Sequence, residues 1–172
     1  MYEIKIQTIP ACVAYSAEYD VPGVGSFFNP ETDENILYDL QYEMEADNPD
    51  VHVPDMGDDY NFFEYPMEDN GDGTVHIRYF DMVDIKGTDS KTGSYRFCDV
   101  PEIEAATMMH KGRFDTFDEG FAILYNWIDA NGYKIAGKAR VSAINGPWDT
   151  KNPDDYVNEL QVPVIKSNKE WR

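Results

Sequence analysis

Glu159 stands in the run V-N-E-L-Q-V-P-V, Val157 to Val164, where Val157, Leu160, Val162 and Val164 suit a buried sheet. A carboxylate at that point either faces water from an edge strand or faces into a cavity. In a cavity it has two kinds of chemistry open to it. It can hold a cation, because a poorly solvated carboxylate gains from a counter-charge, or it can act as a general base toward water. No Ser-His-Asp or Cys-His arrangement stands out, which argues against acyl chemistry.

Metal chemistry finds little support. Cys12 and Cys98 are the only two cysteines, and they form neither a metal signature nor a disulfide framework. They are expected to be reduced and partly buried, as in a cytoplasmic protein. His52 and His76 are isolated, with no second ligand at metal spacing. The stretch E-D-N-G-D-G, residues 68–73, clusters acids and glycines but lacks the spacing and distal glutamate of a calcium loop. Asn70-Gly71 marks it as a hairpin turn. No metal and no cofactor are expected.

The 33 acidic residues against 14 basic ones give a formal net charge of −19. Such a surface repels phosphate backbones and anionic membranes, so neither nucleic acid nor a membrane is expected as partner. It serves solubility and attracts cations. The N-terminus shows no basic region followed by an apolar run, and no apolar run approaches the ~20 residues needed to span a bilayer. Twelve Tyr, nine Phe and three Trp are many for 172 residues, enough to fill a core or to line a pocket for flat ligands.

The elements that must position Glu159 follow from apolar spacing. Residues 2–19 read as one long strand, bent at Ile9-Pro10. A helix begins near Asn29-Pro30 or Thr32 and carries Ile36, Leu40 and Met44 on one stripe. Two strands follow, and residues 87–94 read as a flexible linker. The second half opens with a strand after Val100-Pro101. A helix then carries the stripe Phe117, Phe121, Leu124 and Ile128. Thr116 and Glu119 have capping-box spacing, and Asn131-Gly132 supplies a stop. Two further strands, Tyr133–Ile144 and Tyr156–Lys166, complete it. The chain is thus expected to be a single α+β domain, 1–172. It comprises two tandem strand-helix-strand-strand repeats, about 1–86 and 95–166, in a pseudo-twofold arrangement of antiparallel sheets and two helices around a cleft.

The residues H-K-G-R-F-D-T-F, W-I-D-A-N-G-Y, the Gly146-Pro147 pair and N-E-L-Q-V-P-V, in that order, resemble the GyrI-like effector-binding domain of AraC-type and MerR-type regulators. The opening I-P-A-C-V-A-Y is similar to that family's first strand. The resemblance implies a bacterial protein that binds small molecules between its two repeats, with Glu159 in the pocket facing cationic aromatic compounds. It also assigns His110 to a structural turn. Where the family often carries E-x-Y, this chain has Arg140-Val141-Ser142-Ala143, which implies a wider or less polar pocket. Alignment of the halves sets Arg78 at the position matching Glu159, where it either neutralises Glu159 or reaches solvent on its long stem. Tyr125 and Trp127 lie off the apolar stripe of their helix, and are either core or reach over the cleft. Tyr15, Phe80 and Trp148 are further candidates for stacking on a flat or cationic ligand.

The chain starts at the first strand, without room for a helix-turn-helix, so a stand-alone sensor or sequestering protein is the expected form. Two alternatives come with the resemblance. One is a hydrolase that opens reactive cyclopropane-bearing toxins with Glu159 as general base. The other is a gyrase-inhibitor-like module that binds a protein partner.

Overall fold

Apolar side chains at every second position drive most of this chain into strands. The computed structural model describes residues 3–22, 36–54, 59–145 and 150–167. In chain order the elements are β1 (Ile4–Ile9), β2 (Cys12–Val21), α1 (Ile36–Asp47), β3 (Asn61–Tyr65), β4 (Glu68–Asp69) and β5 (Val75–Val83). They continue with β6 (Arg96–Val100), β7 (Ile103–Lys111), α2 (Phe117–Ala130), β8 (Tyr133–Ile135), β9 (Ala139–Asn145) and β10 (Val157–Lys166).

The strands join into one ten-stranded antiparallel sheet of order β1-β7-β10-β9-β3-β5-β2-β6, with β4 on β5 and β8 on β10. Among the described residues the chain is therefore α+β, with a large antiparallel sheet and two α-helices. The strand expected over residues 2–19 is in fact two. Pro10 has no N–H to give a ladder, so the chain leaves the sheet at Ile9. It re-enters at Cys12 near the opposite end, β1 pairing β7 while β2 pairs β5 and β6. Pro101 does the same between β6 and β7. The strand expected over Tyr133–Ile144 is likewise split. Gly137 packs on Pro163, whose carbonyl accepts from the Ala136 N–H at 2.8 Å.

One face of the sheet carries the main core. Leu160, Val162 and Val164 of β10, Phe63 of β3, Ile77 and Tyr79 of β5 and Ala106 and Met108 of β7 pack there with Leu40 and Met44 of α1. Phe117, Phe121, Leu124 and Ile128 of α2 join the same core, so the predicted helical stripe is the buried one. Phe121 stacks on Tyr65 at 4.6 Å, and Phe117 lies 6.2 Å from Phe63. Through these rings α2 of the second half sits on β3 of the first.

Asn131 ends α2 and Gly132 follows at φ 80°, as the stop signal predicts. The capping box does not form. Thr116 is the N-cap residue, but its side chain caps no helix N–H. Its hydroxyl donates to the Arg113 carbonyl at 2.8 Å and meets His110 Nε2 at 2.9 Å, so it is spent on the preceding turn. His110 is buried against Phe117, and its burial lowers the imidazole pKa. It belongs to the core.

Asn70 and Gly71 form the turn between β4 and β5, with Gly71 and Gly73 at φ 80° and 91°. Residues 87–94 are tied at several points: the Thr88 N–H donates to Asn48 Oδ1 at 2.7 Å and the Phe97 N–H to Asp89 Oδ1 at 2.9 Å. The helix start expected near residues 29–32 lies outside the described residues. Among the described residues, no helix is long and apolar enough to cross a membrane.

Gly120 lets α2 approach the sheet. A Cβ there would lie 2.7 Å from Leu160 Cδ1 and 3.1 Å from His110 Cδ2. Gly120→Val should cost about 1–3 kcal/mol through overpacking, despite glycine's poor helix propensity. Equilibrium urea denaturation checks this, and a variant as stable as the parent would show that α2 shifts freely.

Candidate functional site

The second face of the sheet, opposite the helices, carries Glu159. Alternation along β10 sends Leu160 and Val162 to the helices and Glu159 and Gln161 the other way. Glu159 is half-buried, between Met109 of β7 and Ser142 of β9 in register. Its Oε1 accepts from Gln161 Nε2 at 2.8 Å and from Gln7 Nε2 at 3.4 Å. Both donors are neutral amides. Gln7 also donates to Thr107 Oγ1 at 2.9 Å.

Beside this acid lies an aromatic patch. Phe62 of β3 stacks on Phe80 of β5 at 4.7 Å, and Tyr60 lies 5.2 Å from Phe62. Tyr60 donates to Gln161 Oε1 at 2.6 Å and accepts from Arg140 Nη1 at 3.2 Å. The Arg140 guanidinium carbon sits 4.4 Å over the Phe62 ring, a cation–π contact. Burial pushes the Tyr60 hydroxyl up to about 12, so it keeps its proton at neutral pH and donates it to Gln161. Cys12 and Cys98 border the patch as free thiols, half-buried, their pKa values raised by that burial.

The structure brings together only some of the residues singled out in the sequence. Phe80 shares the face of Glu159. Arg78 is on that face too, but at 3.1 Å from Glu18 and 3.3 Å from Glu64, so its charge is answered there. His76 continues the line, 2.9 Å from both Glu18 and Asp20, which raise its pKa. Tyr15, Tyr125 and Trp127 lie on the helix side. Tyr15 is buried in the main core, Tyr125 is 5.8 Å from Phe121, and Trp127 stacks on Tyr133 at 6.1 Å. Trp148 and the Gly146-Pro147 pair lie outside the described residues. Among the described residues, no cluster of three or more His, Cys, Asp or Glu side chains is placed to hold a metal ion.

Tyr60, Phe62, Arg140 and Gln7 escaped sequence reasoning. For Arg140 a signal existed: Val141 alternates toward the helices, so Arg140 and Ser142 must face Glu159's side. For Tyr60 and Phe62 the signal is the pairing of β3 with β9, Phe63 opposite Val141, which joins residues distant in sequence.

On the helix side a second polar group is buried. Asp81 of β5 accepts from the Tyr15 hydroxyl at 3.0 Å, and its other oxygen has no hydrogen-bonded partner among the described residues. Asp59 lies beside it. Burial first, and then the neighbouring Asp59 charge, raise the Asp81 pKa well above the ordinary aspartate value.

The chain belongs to the family of the GyrI-like small molecule binding domain, whose model matches residues 29–165. Among solved structures it is similar to the C-terminal domain of EcmrR, with 25% identity and a TM-score of 0.79 over 96% of this chain and 99% of that one. The EcmrR chain in its complex with DNA in EcmrR-RPo matches with the same identity and TM-score, and there this chain spans 58% of that chain's length. A hydrolase from Listeria innocua shares the fold at 13% identity, with a TM-score of 0.61 over 95% of this chain and 92% of that one. No curated protein matches the chain.

Proposed function

We propose that this domain binds small amphipathic molecules bearing a cationic centre, on the sheet face that carries Glu159, in a sensing or sequestering role. One observation carries the reading. Glu159 is half-buried, yet among the described residues its side chain has only amide partners and takes part in none of the ion pairs. A carboxylate so placed gains from a cation that brings its own apolar surface. The partly exposed rings of Phe80 and Tyr60 offer that cation aromatic surface, and the half-exposed Met109 offers an adaptable thioether.

The site lies near the seam of two halves that we read as repeats. Exchanging β1, β2, β3 and β5 for β6, β7, β9 and β10 turns the strand order into its own reverse. That symmetry sets β3 against β9 at the middle of the sheet and supports a ligand position shared by both halves.

A matched pair of ligands tests the reading: an aryl trimethylammonium and its neutral tert-butyl isostere, titrated calorimetrically into wild type and Glu159→Gln. The cation should bind wild type at least tenfold more tightly than the isostere, about 1.4 kcal/mol or more. Glu159→Gln should abolish that difference and leave the isostere's affinity unchanged. Equal binding of both ligands by wild type, or an unchanged preference in the variant, would overturn the proposal.

A further inference from the structure

Among the described residues, Arg140 is the second charged group of this face without an ion partner. The residue is 8% exposed, its guanidinium stacked on Phe62 and bonded to the neutral Tyr60 hydroxyl. Its register neighbour on β3 is a carboxylate, Glu64, the obvious partner. Glu64 instead turns to Arg78 at 3.3 Å and Lys138 at 4.0 Å. Arg140 takes part in none of the ion pairs among the described residues. A guanidinium buried without a counter-charge is costly, and a ring face with one hydroxyl offsets only part of that cost. Its register neighbour on β10 is Gln161, whose own side chain reaches Glu159.

The hydrogen bonds between the two charges all run one way. Arg140 donates to Tyr60, Tyr60 donates to Gln161, and Gln161 donates to Glu159, at 3.2, 2.6 and 2.8 Å. Two neutral side chains thus hold a cation and an anion apart on one face and keep them from pairing. Each bond in such a directed chain polarises the next. The arrangement presents a fixed dipole whose two ends each lack an ion partner among the described residues.

We propose that the natural ligand is dipolar: a cationic group seated at Glu159 and an anionic group, such as a carboxylate or phosphate, seated against Arg140, with an apolar body over Phe80 and Tyr60. This rests on the cation reading of Glu159 and adds the second charge. An anion at Arg140 would supply the charge-assisted partner that Glu64 does not give.

The test uses the whole chain and a series of probes on one aryl skeleton. One is a plain trimethylammonium. The others are betaines with a carboxylate set two to six methylenes from the nitrogen, roughly the span of a few hydrogen-bonded side chains. Calorimetric titration of wild type should find one spacing that binds at least tenfold more tightly than the plain cation. Arg140→Gln should erase that advantage without weakening the plain cation. Glu159→Gln should weaken both probes. If the plain cation binds in a Glu159-dependent way and no betaine exceeds it, the dipolar proposal is wrong and the cation reading stands. If neither probe class depends on Glu159, both are wrong. The wild-type comparison decides by itself should Arg140→Gln fail to fold.

Discussion

Asp81→Asn should make the protein more stable at neutral and alkaline pH and should flatten the fall of stability with rising pH. The reason lies in a carboxyl group buried on the helix side, bonded to the Tyr15 hydroxyl and facing Asp59. Desolvation and the Asp59 charge raise its folded-state pKa. Between the ordinary aspartate pKa and that raised value, the folded protein holds a proton that the unfolded chain has released. Stability therefore falls as pH rises through this window, by up to about 1.4 kcal/mol per pH unit for one proton. Below the window both states are protonated and the effect vanishes. Asparagine copies the protonated group: it can accept from Tyr15 and donate to Asp59 without ionising. The groups around it act in the same direction. Tyr15 and Tyr79 have pKa values raised mainly by burial and by nearby acids, so they stay neutral, and Asp59 is itself raised by burial. Urea denaturation at several pH values from 4 to 9 measures the slope. Parallel curves for wild type and Asp81→Asn would show that Asp81 is ionised in the folded protein.

Phe121→Ala should strongly destabilise the fold. Phe121 is 2% exposed, stacks on Tyr65 of β3 at 4.6 Å and lies 5.8 Å from Tyr125. Its removal loses transfer energy and leaves a cavity between rings that cannot collapse onto one another, about 3–5 kcal/mol. For a domain of this size that lowers Tm by on the order of 6–20 °C. Because this ring joins the second half's helix to the first half's strand, the loss should appear in one cooperative transition. Calorimetry would contradict this if the variant melted in two separate steps, or within about 1 °C of wild type.

Local features were legible from the sequence alone. The stripe on α2, the Asn131-Gly132 stop, the turn at Asn70-Gly71 and the alternation that separates Leu160 from Glu159 are set by residues within one element. Features set by distant partners were not. The break at Pro10 was visible, but a bend within one strand and a crossover to the far end of the sheet look alike until β1 finds β7 and β2 finds β5. The capping box failed for a similar reason: Thr116 has the right spacing to Glu119, but His110 is its partner. Tyr15 could have been placed, since it alternates with Val13 and Ala17 on the core side. Tyr125 and Trp127 lie off the apolar stripe yet still pack against the core, because α2 rests on the sheet through more than one stripe of rings. At the site, the acid was readable and its setting was not. Tyr60, Phe62 and Arg140 meet only because β3 pairs with β9.

On the proposed function, the ligand's cation sits on the Glu159 face of the sheet, away from the helices. Tetraphenylarsonium is a lipophilic aryl cation whose arsenic scatters X-rays anomalously. An anomalous difference map from a crystal soaked with it locates the charge directly. The arsenic should lie within about 4–6 Å of the Glu159 carboxylate, the range over which an opposite charge is felt strongly, with phenyl rings on Phe80 and Tyr60. An arsenic peak on the helix side, among Tyr125 and Trp127, would contradict the account.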